Sequence, residues 1–189
     1  MYLEYFKNPC YEASSWHPSF PSKIQCLPYF HVLGSDKCGT TVFHARLTSH
    51  PLILKNDGGL GKETYYWSWL RYGIYSSYEG CGSYARRSQT FCSRWIKWLS
   101  LIISKIGDAT PMDFWDFRGW QLDPQNEGLP EPRFLTPHAM RHLYKDPRFF
   151  LLFRNPIDRL YSDYVFLGYG FTAHKFARDV PIAIDMMRD

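Results

Sequence analysis

Two short apolar runs, each followed at once by a polar turn and a helix start, constrain this chain more than any other feature. The first, Tyr29-Phe30-His31-Val32-Leu33, leads into Gly34-Ser35-Asp36-Lys37-Cys38-Gly39-Thr40-Thr41. The second, Phe149-Phe150-Leu151-Leu152-Phe153, leads into Arg154-Asn155-Pro156-Ile157-Asp158-Arg159-Leu160-Tyr161-Ser162. Buried strands that feed helices belong to parallel sheets covered on both faces. Ligands of such sheets bind beyond the carboxyl ends of the strands. The expected fold is therefore α/β, a P-loop-like parallel β-sheet flanked by helices. Either turn alone is a weak signal. Together they point to a nucleotide with phosphates at both ends.

Between these landmarks the chain divides unevenly. Residues 1–27, rich in Pro, Ser and aromatics, read as an irregular N-terminal arm, and 28–189 as the domain proper. A helix is expected over Thr41 to Thr48, with Val42, Ala45 and Leu47 toward the core, ended by His50-Pro51. Lys62 to Trp67 reads as a β-prone segment leaving the loop Gly58-Gly59-Leu60-Gly61. Residues 76–90 are polar and Gly/Ser-rich, an expected exposed loop. Leu99, Ile102, Ile103 and Ile106 recur at helical spacing after Trp95, and Gly107 would close that helix. Residues 108–133, with four prolines, read as a long surface or active-site loop. Thr136 then caps a helix with Pro137 in its first turn and an inner stripe of Ala139, Met140, Leu143 and Tyr144. Asn155-Pro156 repeats the cap-then-proline start before a helix that buries Leu160, Tyr161 and Tyr164.

Composition removes several classes. The 189 residues fit one domain with a real core, and 45% hydrophobic residues with 19% aromatics exclude disorder. A net charge of +4 suits anionic ligands but falls short of a nucleic-acid-binding signature. No run approaches the roughly 20 apolar residues that span a bilayer, and the first residues lack the order of a signal peptide. Five cysteines without metal-ligand spacing give no zinc site. Cys10 with Cys26 and Cys81 with Cys92 could close two loops, leaving Cys38 alone, as suits an oxidising compartment. Five reduced cysteines are equally compatible.

The first turn is nearly a Walker A loop. Gly34 and Gly39 have its spacing, but Thr40 stands where the lysine should be and Lys37 lies inside the loop. Amides of such a turn at a helix start can cradle an anion, with Thr40 and Thr41 adding hydroxyls. No obvious carboxylate to hold magnesium follows. That combination disfavours γ-phosphoryl transfer and favours a sulfuryl donor, which needs less charge neutralisation.

With Arg154, Asn155, Pro156, Arg159, Ser162 and Tyr164 matching R-N-P-x-x-R-x-x-S-x-Y, the chain resembles the Golgi carbohydrate sulfotransferases. Further similar stretches are Asn8-Pro9-Cys10, Cys26 to Phe30, Glu131 to Thr136 and Arg159 to Tyr164. The resemblance implies 3′-phosphoadenosine 5′-phosphosulfate (PAPS) as donor, without a metal. Lys37 would contact the 5′-phosphosulfate, Cys38, Gly39, Thr40 and Thr41 would complete its cradle, and Arg154 and Ser162 would hold the 3′-phosphate. Glu63 would be the general base, with Lys62 beside it as a substrate-binding residue. Thr110 lies where the family has a Ser-Pro segment near the acceptor, and Trp115 and Trp120 are candidates for acceptor contacts. The implied acceptor is a sulfated, glycosaminoglycan-type polysaccharide, with chondroitin or dermatan sulfate N-acetylgalactosamine favoured. The implied location is the Golgi lumen, membrane-bound through an anchor outside this chain. Family domains continue past the second motif, so a C-terminally incomplete domain is expected.

Other residues have plainer roles. Most of the 7 tryptophans and 14 tyrosines are expected in the core. His31 is expected as a hydrogen-bonded core residue, His138 and His142 on an outer helix face, and Arg86-Arg87 as a solvated pair. Two rival functions remain: a P-loop nucleotide kinase or NTPase, and a non-catalytic module that grips nucleotide or sulfated sugar.

Overall fold

The computed structural model describes residues 4–13, 23–56, 58–69, 103–186 and 188. Strands β1 (Cys10–Ala13) and β2 (Lys23–Cys26) pair antiparallel. β3 (Phe30–Val32), β4 (Ile53–Leu54), β5 (Lys105–Asp108) and β6 (Phe149–Phe150) form one parallel sheet in the order β4-β5-β3-β6. Helices α1 (Thr40–Thr48), α2 (Thr136–Leu143), α3 (Pro156–Phe166) and α4 (Ala173–Met186) flank it. The α/β class is as the two apolar runs predicted.

β3 is central and buried along its length, which its apolar run requires. Phe30, Val32 and Ala109 pack with Phe43, Leu47, Ile53 and Leu152 on one side. Trp67, Ala139, Met140 and Tyr144 form a second cluster. His31 is 1% exposed and its Nε2 meets the Tyr144 hydroxyl at 3.1 Å. Burial lowers its pKa to about 3, so the imidazole stays neutral inside the protein.

Several elements differ from expectation. The arm is not irregular: β1 and β2 carry a Cys10–Cys26 disulfide, and both cysteines pack with Phe6 and Ile106. Asn8 ties the arm to the sheet, donating to the Ser104 carbonyl at 2.9 Å and accepting from Ile106 N–H at 2.8 Å. Ile106 and Gly107 lie in β5, not at a helix end. A short apolar run cannot distinguish the two states, and here the strand wins. Gly107 is required for packing, since a Cβ there would stand 2.1 Å from the Phe30 ring. Lys62 to Trp67 runs through turns rather than a strand, and its ladder contact among the described residues is the Gly59–Glu63 bridge. On α1 the inward residues are Thr40, Phe43, His44 and Leu47, while Val42 is 59% exposed and Ala45 also faces outward. The helix starts one residue earlier than predicted, with Thr40 in its buried stripe.

In α2, Leu135 is the cap position and Thr136 lies within the helix. Ala139, Met140 and Tyr144 are buried as expected, but Leu143 is 36% exposed. β6 is two residues long and forms the sheet edge, so Phe149 and Phe150 are 44% and 40% exposed rather than buried. In α3, Tyr164 is buried and Tyr161 half-buried, whereas Leu160 is 38% exposed. Both tyrosines meet Phe176 of α4 edge-on. Residues 108–133 hold three short 3₁₀ turns and buried side chains at Asp108, Thr110, Asp113, Asp116, Asp123 and Asn126, so the segment is not a simple surface loop. Cys81, Cys92, Arg86, Arg87, the loop at 76–90 and the helical pattern from Trp95 to Ile102 lie outside the described residues.

Candidate active site

Parallel pairing between β3 and β6 continues past the strands themselves. Leu33 N–H donates to Phe150 O, Ser35 N–H to Leu152 O, and Leu152 N–H to Gly34 O, at 2.7–2.9 Å. The two turns therefore leave the sheet side by side. Arg154 Nη1 donates to the Lys37 carbonyl oxygen at 3.4 Å, and Lys37 Nζ sits 3.5 Å above the Phe166 ring of α3. The turns predicted to serve opposite ends of one ligand share one end of the sheet.

The first turn is built to leave its amides open. Gly39 caps α1 with φ 84° and has no side chain to offer, so no side-chain hydrogen bond closes the first helical turn. Free amides and the positive end of the helix dipole attract an anion there. Lys37 also has a left-handed backbone, φ 62°, which is uncommon for a residue other than glycine. Cys38 is a free, half-buried thiol whose N–H bonds to Ser35 O at 3.2 Å. Thr40 is buried and Thr41 exposed.

Lys62 and Glu63 arrive beside this helix start from the Gly59–Glu63 turn. Lys62 Nζ donates to Thr40 Oγ1 at 3.5 Å and Thr41 Oγ1 at 3.3 Å, and it is ion-paired with Glu63 Oε1. The Tyr65 hydroxyl holds Glu63 Oε2. One carboxylate oxygen is thus fixed by a cation and the other by a phenol, with lone pairs left over on both. Lys62 is 2% exposed, so it acts as an internal strut between Glu63 and the two threonines.

The segment after β5 supplies a second frame. Thr110 is 1% exposed. Its hydroxyl donates to Asp108 Oδ1 at 2.8 Å and accepts from Thr64 and Tyr65 N–H. The buried hydroxyl is thus committed to backbone and carboxylate. Asp108 also accepts from Thr64 Oγ1 at 2.7 Å and Thr64 N–H at 3.3 Å, and burial raises its pKa. Both Asp108 oxygens are thus engaged by Thr64 and Thr110. Asp113 accepts from Ser68 N–H at 2.9 Å, and burial followed by the nearby Asp108 charge raises its pKa strongly. Trp115 is half-exposed and its Nε1 donates to Asp36, placing the indole against the first turn. Trp120 is half-buried and its carbonyl accepts from Asn126 Nδ2 at 2.8 Å.

The second turn is closed where the first is open. Asn155 Oδ1 accepts from Ile157 N–H at 3.0 Å and Asp158 N–H at 3.4 Å, so α3 is self-capped as predicted. Arg154 is exposed, Ser162 half-buried one helical flank away, and Arg159 pairs with Asp163 at 3.3 Å. Sequence reasoning missed Phe166, Tyr65 and Asp36 as partners of Lys37, Glu63 and Trp115. It also missed His44, whose place four residues after Thr40 was the available clue.

Fold and site define a parallel α/β domain that presents two basic turns together at the carboxyl ends of its central and edge strands. Carbohydrate sulfotransferase 15 of Homo sapiens is 28% identical over 163 residues, covering 77% of this chain and 28% of that protein. The Rattus norvegicus protein of the same name is 27% identical over the same span. Membrane-associated sulfotransferase kil1 of Dictyostelium discoideum is 28% identical over 166 residues, covering 87% of this chain and 28% of its own. These similarities agree with the resemblance to carbohydrate sulfotransferases that Arg154, Asn155, Pro156, Arg159, Ser162 and Tyr164 carry. The chain spans a little over a quarter of the length of these relatives. No family model matches it, and no solved structure does.

Proposed function

We propose that this chain carries the catalytic centre of a carbohydrate sulfotransferase that moves a sulfuryl group from 3′-phosphoadenosine 5′-phosphosulfate to a sugar hydroxyl. The observation that carries the reading is the meeting of Lys37 with Arg154 at one sheet end, with Glu63 held beside Thr40 and Thr41. The uncapped first turn of α1 fits a phosphosulfate, and the Arg154 guanidinium fits a dianionic 3′-phosphate.

In this reading Glu63 accepts the proton of the attacking hydroxyl. The sugar oxygen forms a bond to sulfur from the side opposite the bridging oxygen. The bond from sulfur to that bridging oxygen breaks, and its electron pair leaves on the 5′-phosphate. Lys37 leaves the Phe166 ring to meet the developing charge, where a fixed cation is worth more than in water. Lys62 and Tyr65 hold the base in register. The acceptor is a glycosaminoglycan-type polysaccharide, chondroitin or dermatan sulfate N-acetylgalactosamine being favoured. The Cys10–Cys26 disulfide accords with a lumenal, oxidising site such as the Golgi. Among the described residues no helix is long and apolar enough to cross a membrane.

The test is radiolabelled sulfate transfer from the donor to chondroitin. Glu63→Gln is expected to lower kcat by about 10²–10⁴-fold, the usual contribution of a positioned base. Binding of 3′-phosphoadenosine 5′-phosphate should stay within about twofold, since Glu63 makes no contact with it in this scheme. Unchanged turnover in Glu63→Gln would remove it as the base. Magnesium-dependent binding of ATP in preference to the 3′-phosphorylated nucleotide would replace the whole reading with a kinase.

A further inference from the structure

A cavity of about 290 Å³ opens beside the candidate active site, between α1 and the loop that runs from Lys55 to Lys62. Thr41, His44, Thr48 and Ser49 line it from one helix face, with Lys55 and Lys62 opposite. It lies at the small end of ligand pockets, about 300–1,000 Å³, which suits one substituent rather than a whole sugar chain. No carboxylate is among its described lining residues.

Its donors can be counted. The Thr48 and Ser49 hydroxyls are committed to the His44 and Arg46 carbonyls at 3.0 and 2.7 Å. Thr41 accepts from Lys62, which leaves its own O–H free to donate. Lys55 has no ion pair or hydrogen bond among the described residues. His44 is 3% exposed, and its Nε2 is buried without a hydrogen-bond partner. A buried ring nitrogen without a partner is costly, and a neutral imidazole can carry its proton on Nε2 and donate. Burial, followed by the Lys62 and Lys55 charges, lowers the His44 pKa and keeps the ring neutral. Lys62 spends its three donors on Thr40, Thr41 and Glu63, so one unpaired ammonium at Lys55, a free hydroxyl and an unsatisfied ring nitrogen together describe a receptor for an anion.

The cavity shares Thr41 and Lys62 with the Glu63 site, so whatever it holds is positioned next to the base. We propose that it is an acceptor subsite for an anionic substituent that the sugar chain already carries, a sulfate ester or a uronate carboxylate, gripped by Lys55, Thr41 and His44. This rests on the sulfotransferase reading for the identity of the acceptor, while the subsite itself is tested by binding alone.

The probe is a fluorescent chondroitin 4-sulfate hexasaccharide, titrated into the full chain with 3′-phosphoadenosine 5′-phosphate present. Lys55→Ala should weaken hexasaccharide binding about tenfold, the loss of one charge-assisted hydrogen bond, and leave nucleotide affinity unchanged. Lys55→Arg should retain most of it. Arg46→Ala removes an exposed cation of α1 outside the cavity and should cost less than twofold. Repeating the titration with desulfated and with carboxyl-reduced hexasaccharide identifies the group: the Lys55 effect persists only where the recognised anion remains. Equal losses in Lys55→Ala and Arg46→Ala would overturn the proposal in favour of diffuse polyanion attraction. So would an unaffected Lys55→Ala, a parallel loss of nucleotide binding, or no binding of any hexasaccharide by the unmodified chain. Lys55-dependent binding without sulfate transfer would instead overturn the catalytic reading and leave the subsite standing.

Discussion

The two turns at the end of the sheet look alike in sequence and solve the same problem differently. At Gly39 the helix start has no side-chain cap, so its amides remain available to a ligand. At Asn155 the side chain occupies the amides of Ile157 and Asp158, and the helix satisfies itself. The first turn can hold an anion with backbone, which needs glycine and tolerates many side chains. The second must hold one with side chains, chiefly Arg154. The lesson is that a strand-turn-helix junction is not by itself an anion site. What matters is whether its own cap has already taken the donors.

That contrast can be broken by experiment, most forcefully at Arg154. Arg154→Ala should weaken binding of 3′-phosphoadenosine 5′-phosphate by about 10–100-fold, as expected for a hydrogen bond from a charged group. It should leave affinity for 5′-AMP nearly unchanged, so calorimetry on the two nucleotides isolates the 3′-phosphate. Equal losses for both would mean that the second turn has no phosphate of its own.

A smaller effect is expected at Gly39. A side chain there meets nothing within 4 Å, so Gly39→Ala costs only the left-handed backbone, about 1–2 kcal/mol. Relaxation of that strain should turn the amides aside and weaken both nucleotides by up to about tenfold. Loss confined to 3′-phosphoadenosine 5′-phosphate would place the 3′-phosphate, not the 5′ end, at the first turn.

Least of all should change at Asn155. Asn155→Ala removes a cap worth about 1 kcal/mol and should lower Tm by about 2–4 °C. Nucleotide affinity should stay within twofold. A gain in affinity there would sharpen the comparison further, showing that the freed amides can bind phosphate once the cap is gone.

Much of the site was legible because its elements follow local rules. The Gly39 start, the Asn155-Pro156 start and the apolar run of β3 each carry their signal within a few residues. Errors came where local signals are degenerate. Ile106-Gly107 fits a helix end or a strand, and only the Phe30 ring against Gly107 decides. Lys62 to Trp67 has the composition of a strand, but the Gly58–Gly61 turn and the bonds from Thr64 to Asp108 and Thr110 fold it back on itself. Val42 and Ala45 are apolar and so predict an inward face, but packing turns the face of Thr40, Phe43, His44 and Leu47 toward the sheet instead.

By itself the sequence determined the alternation of strand and helix, the two basic turns and the residue types available at each, because these depend on propensities and caps within a few positions. Tertiary structure alone decided that Lys37 meets Arg154, that Lys62 joins Glu63 to the start of α1, and that the Thr110 hydroxyl accepts from the Thr64 and Tyr65 amides. The Lys62–Thr40 and Lys37–Arg154 contacts join residues 22 and 117 positions apart. Parallel pairing of β3 with β6 brings the two turns together, and the Asp108–Thr64 network holds the Glu63 segment against α1.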